Sequence, residues 1–154
     1  MVGQTEPLWR PLMQRDVWLS AVLLATACSA GLSPSESTRG TPAHGVEVVA
    51  TVTSQSTTLR ITNTGNQDAF LSRCGSSPLV LVQQFAGTEW TGGVQNFACP
   101  APSAPGPISL RPAESISVVR TFTDAGRYRF RVPVGTTQDL NDAAAAVSNA
   151  FDVP

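Results

Sequence analysis

Gly45-Val46-Glu47-Val48-Val49-Ala50-Thr51-Val52-Thr53 is the stretch on which the reading of the fold turns. Val46, Val48, Ala50 and Val52 alternate with Glu47, Thr51 and Thr53, and Val49 alone breaks the pattern. Successive side chains of a strand point to opposite faces, so a period of two means one buried face and one wet face. The stretch reads as a half-buried strand.

The same period recurs outward along the chain. Leu59 and Ile61 alternate with Arg60 and Thr62, and Asn63-Thr64-Gly65-Asn66 supplies a turn. A short strand is expected at Ala69-Phe70-Leu71 and another over residues 79–85, followed by a turn at Ala86-Gly87-Thr88 and then Trp90. Pro100, Pro102, Pro105 and Pro107 rule out a central strand there and mark a loop. Strands resume over residues 115–122 and 127–134, and the last is expected over 147–153. The one helix-like piece, residues 139–146, predicts one or two turns within a loop. Seven or eight short strands separated by turn signals predict an all-β chain folded as an antiparallel β-sandwich over residues 45–154.

Composition narrows the function classes. Of the 154 residues 42% are apolar and only 14% charged, with a formal net charge of −1, so no long-range field steers the chain toward nucleic acid or anionic lipid. All ten cations are Arg, which excludes a Lys Schiff base and a P-loop. His44 is the only histidine, which removes His-based metal sites and most acid–base designs.

Ahead of the sandwich, residues 17–27 form an uncharged apolar run preceded by Arg10 and Arg15. Its length fits the hydrophobic region of a secretory signal peptide and falls short of the ~20 residues that span a bilayer. Either Met1 or Met13 serves as the start, and the shorter leader reads more naturally. The run ends Leu24-Ala25-Thr26-Ala27-Cys28, which resembles the lipobox of bacterial lipoproteins, whose cysteine is acylated after cleavage. Ala25 stands where that family usually has Leu, and Ala25-Thr26-Ala27 equally fits the cleavage site of ordinary secretion. The resemblance implies a signal peptide over 1–27, lipidation of Cys28, and a membrane anchor at the cell envelope. In a host with two membranes, Ser29 resembles the outer-membrane-permissive case. Residues 28–44, rich in Ser, Gly and Pro, then read as a tether reaching on the order of 20–25 Å, with His44 solvated at its end.

Three thiols in an oxidising compartment leave one over. Assigning Cys28 to the lipid leaves Cys74 and Cys99, each at the edge of a strand-like stretch, as one expected disulfide. Two buried free thiols are the alternative.

Asp124-Ala125-Gly126-Arg127-Tyr128-Arg129-Phe130 resembles the D-x-G-x-Y-x-C stretch of immunoglobulin domains. The resemblance implies an immunoglobulin-like sandwich in which Asp124 and Gly126 make a turn and the Tyr128 hydroxyl bonds back to the backbone as a tyrosine corner. Phe130 replaces the family's cysteine, so the cross-sheet disulfide of that family is missing. A looser resemblance, carried by Asn63-x-Gly65, Leu110-Arg-Pro-Ala-Glu and Gly126-x-Tyr128, is to the BsuPI-type proteinase inhibitors, and it transfers no inhibitory loop.

Two candidate contact features remain. Arg127, Arg129 and Arg131 lie on one face of one strand, spaced by roughly 6.5–7 Å, a stripe suited to carboxylate-rich proteins or anionic glycans. The alternative is a solvated outer face whose Arg stems cover apolar surface. Trp90, the only Trp beyond the leader, is either a partner anchor or the edge of a core. No catalytic group assembles: Glu89, Glu114, Asp124, Asp139, Asp142 and Asp152 sit in no recognised motif, and Asp139-x-x-Asp142 lacks the density of a calcium loop. No cofactor and no metal is implied. The expectation is a non-catalytic binding or accessory module of the envelope, with a secreted or periplasmic protease inhibitor as the alternative.

Overall fold

Alternation becomes pairing from Val46 onward. In a computed structural model that describes residues 39–93, 99–101 and 105–154, strand β1 (Val46–Thr53) turns through Ser54 and Gln55 into β2 (Ser56–Asn63), with Val46 opposite Asn63 and Thr53 opposite Ser56. The leader, Cys28 and residues 29–38 of the expected tether lie outside the described residues. Val46, Val48 and Ala50 are buried, while Val49, the exception to the pattern, is 43% exposed on the other face.

The remaining strands are β3 (Ala69–Leu71), β4 (Arg73–Cys74), β5 (Ser77–Pro78), β6 (Leu81–Ala86), β7 (Glu89–Gly92), β8 (Ile108–Leu110), β9 (Ser115–Thr121), β10 (Gly126–Gly135), β11 (Ala144–Val147) and β12 (Phe151–Val153). One sheet has the order β1-β2-β9; the other runs β7-β6-β10-β3-β8, with β11 and β12 paired to the second edge of β10. All pairings between these strands are antiparallel. Leu59, Ile61 and Val118 from the first sheet and Leu71, Phe130, Val132 and Val134 from the second bury their side chains in one core. The described residues form an all-β antiparallel sandwich.

Among the described residues twelve strands replace the seven or eight expected, because several loops contain two- to four-residue pairings too short to show a period. The stretch expected to be helical is not. Ala144, Ala145 and Ala146 pair with Val134, Pro133 and Val132, so the β10 ladder overrides alanine's preference for helix. The single last strand expected over 147–153 is split. Between the partners Arg131–Val147 and Tyr128–Phe151 there are two residues on β10 and three between β11 and β12, which makes a β-bulge.

Residues 41–43, expected in the tether, belong to the sandwich. Thr41 bridges Val147, whose amide donates to the Thr41 carbonyl (2.8 Å), and Ala43 bridges Val46. Gly40 passes so close to the Val147 carbonyl that no Cβ fits. His44 stays exposed but is held in place: its Nε2–H donates to the Asp142 carbonyl (2.9 Å).

Candidate functional site

β10 is the axis of the larger sheet, and its burial alternates from Arg127 to Val134. Tyr128, Phe130, Val132 and Val134 are buried, while Arg127, Arg129, Arg131 and Pro133 are half-buried on the opposite face. The three arginines therefore share the outer side of the sheet. Their cross-strand neighbours set the chemistry of that face. Arg127 stands opposite Asp152, Arg129 opposite Gln83, and Arg131 between Leu81 and Val147.

Arg129 is the best-defined of the three. Its Nε donates to Gln83 Oε1 (2.8 Å), and its guanidinium carbon lies 4.3 Å from the centroid of the Trp90 ring. Trp90 sits in β7 opposite Phe85, with ring centroids 5.2 Å apart and planes inclined by 57°. The indole is thus neither on a free loop nor in the core. It is half-buried on the outer face, where it forms a stacked platform with Phe85 and Arg129. Gln83 beneath is only 6% exposed, and a Cβ on Gly93 would press on its side chain (3.1 Å), so the residue that orients Arg129 is itself held by packing.

Beside Arg129 a cleft of about 150 Å³ runs between the 39–41 segment and the bulge after β11, with Arg39, Gly40, Val147 and Ser148 in its walls. Arg39 at its rim also contacts Glu47, with Nε 3.3 Å from the carboxylate. The space is enough for one carboxylate or sugar-acid group and a few waters, at ~30 Å³ per water. Guanidinium groups recognise such anions through paired N–H donors.

The turn before β10 is fixed by its own sequence. The Tyr128 hydroxyl donates to the Asp124 carbonyl (3.1 Å), and its ring stacks on Phe122 at 4.6 Å. Gly126 leaves the space that Tyr128 needs, since a Cβ there would lie 3.2 Å from the ring. Phe130 is wholly buried and packs 5.1 Å from Phe151. Cys74 and Cys99 form a disulfide with a Cα–Cα distance of 4.9 Å. It ties the β4–β5 hairpin to the start of the proline-rich segment. Arg73 Nε, donating to the Gly106 carbonyl (3.1 Å), ties that segment again further on.

Several residues that organise the molecule gave no functional signal in the sequence. Asn63, read as part of a turn, is fully buried. Its amide donates to the Gln67 and Leu110 carbonyls (2.8 Å each) and accepts from Gly65 N (2.9 Å). Asp142 is an exposed loop carboxylate that accepts from the Thr136 hydroxyl (2.6 Å) and the Thr136 amide (3.0 Å). These bonds hold it at about 2, below the ordinary 3.8. Asp139 is likewise lowered, by the Thr137 hydroxyl first. Both acids therefore brace the loop after β10. Among the described residues no group of three His, Cys, Asp or Glu side chains could hold a metal ion. No protein-family model matches the sequence, and no curated protein is similar to it.

Proposed function

We propose that this chain is a bacterial envelope lipoprotein, cleaved after Ala27 and anchored through acylated Cys28, whose sandwich is a non-catalytic binding module. Its contact face is the outer side of β10, and its partner class is a carboxylate-rich protein or an anionic glycan. The observation that carries the reading is the setting of Arg129. Trp90 and Gln83 hold its guanidinium in one place on a face that also bears Arg127 and Arg131. A cation fixed before contact loses less side-chain freedom on binding than a free one, so more of the interaction appears as affinity. The tether between lipid and sandwich would present this face at the membrane surface.

The anchor is tested by intact mass of the full chain expressed in a bacterium, with and without reduction. The expected mass is that of residues 28–154 plus acyl chains, with two thiols appearing only after reduction. The unacylated 28–154 chain would make the protein a secreted one, and an unprocessed chain with three free thiols would contradict the envelope assignment.

A further inference from the structure

Among the described residues, one edge of the three-stranded sheet is closed and no strand covers the other. Along β1, the Asn149 side-chain amide takes both backbone groups of Ala50. Its Oδ1 accepts from the Ala50 amide (2.8 Å) and its Nδ2 donates to the Ala50 carbonyl (3.1 Å). The Ala43–Val46 bridge covers the start of the same edge. Along β9, no strand pairs with the outer edge among the described residues.

The direction of the open backbone groups follows from the flanking bonds. The Glu114 carbonyl accepts from Asn63 N, and Phe122 N donates to the Gln55 carbonyl, so even-numbered residues turn toward β2. With the unbroken register from Ser56–Thr121 to Thr62–Ser115, the odd-numbered Ser117 and Val119 turn their N–H and C=O outward. The Val119 carbonyl accepts from the guanidinium of the adjacent Arg120 (3.3 Å), and Val119 is 58% exposed.

Beside this edge lies a cleft of about 430 Å³. Ile108, Ile116, Val118 and Pro78 supply apolar wall, and Arg73 and Arg120 supply two cations. Neither guanidinium contacts a carboxylate among the described residues. Arg120 stands opposite Thr57, on the same side of β9 as Ile116 and Val118, so its charge points into the cleft. An inward charge on an edge strand discourages pairing with a second copy, because it would bring like charges together. It favours a strand that brings carboxylates.

We infer that β9 is an acceptor edge for an extended acidic peptide, which adds as a fourth strand to the β1-β2-β9 sheet with carboxylates toward Arg120 and Arg73. Main-chain bonds to Ser117 and Val119 would supply affinity, and the cleft would supply the choice of side chain. This site lies on the other sheet from the arginine face and stands independently of it.

The test uses the full chain and two labelled seven-residue peptides, matched to the length of β9, one alternating Val with Glu and the other Val with Lys. The Glu peptide is expected to bind at least ~10-fold tighter than the Lys peptide, and Arg120→Glu to invert that order. Hydrogen exchange of the unsubstituted chain should show the Ser117 and Val119 amides gaining protection only when the Glu peptide is present. The inference is overturned by equal or absent binding of the two peptides, or by binding without that protection. It is equally overturned if those amides are protected in the free chain, or if protection follows chain concentration together with dimer formation.

Discussion

The two faces of β10 differ in what they do for the molecule. Inward, Tyr128, Phe130, Val132 and Val134 are removed from water and hold the two sheets together. Outward, Arg127, Arg129 and Arg131 stay partly exposed to solvent, and Arg129 is backed by Gln83 of β6 and Trp90 of β7. Ten consecutive residues thus carry both the fold and the proposed contact surface. Stability and recognition are therefore expected to be separable in this strand. A change on one face should be nearly silent in the measurement that reads the other.

The sharpest break is on the inner face. Phe130→Ala empties a fully buried site packed against Phe122 and Phe151, and is expected to cost about 3–5 kcal/mol in urea unfolding. A cost below ~1 kcal/mol would mean that Phe130 is not the centre of the core.

On the outer face, Arg129→Gln removes the contact with Trp90 and the bond to Gln83. The expected loss is about 0.5–1 kcal/mol, several-fold smaller than the core deletion, together with increased iodide quenching of Trp90 fluorescence. Unchanged quenching would mean that Arg129 does not shield the indole.

The smallest effect lies beyond the end of β10. Asp142 is held at about 2 in the fold against an ordinary 3.8, so the contribution of its carboxylate is complete above about 3.8 and fades as pH falls toward 2. Asp142→Asn should flatten the dependence of Tm on pH inside that window and leave its slope above pH 5 unchanged. A parent chain whose Tm is flat between those values would remove the loop's bracing role.

The sequence made the inner face legible because burial there is periodic. Val46, Val48, Leu59, Ile61 and Phe130 could be placed from alternation alone, and the D-x-G-x-Y stretch located the turn before β10. The disulfide followed from counting thiols. The 41–43 segment was not legible, because it joins the sandwich through backbone bridges and a glycine rather than an apolar stripe. The Ala144–Val147 strand was hidden by residues that favour helix when no neighbouring strand is considered. Gln83 and Asn63 read as ordinary polar residues. Their burial depends on neighbours distant in the chain, Arg129 for one and Leu110 for the other. The arginine stripe could be read from spacing, but Trp90's place beside it required the β6–β7 hairpin register.

The most direct measurement compares binding of the full chain and of its R127Q/R129Q/R131Q variant to immobilised polyglutamate and polygalacturonate, at low and at physiological salt. The parent is expected to bind at least one of the two and to be released by salt. The variant should bind at least ~10-fold more weakly, while its loss of stability in urea stays well below that of Phe130→Ala. Equal binding by the two chains, or no binding by the parent, would contradict it.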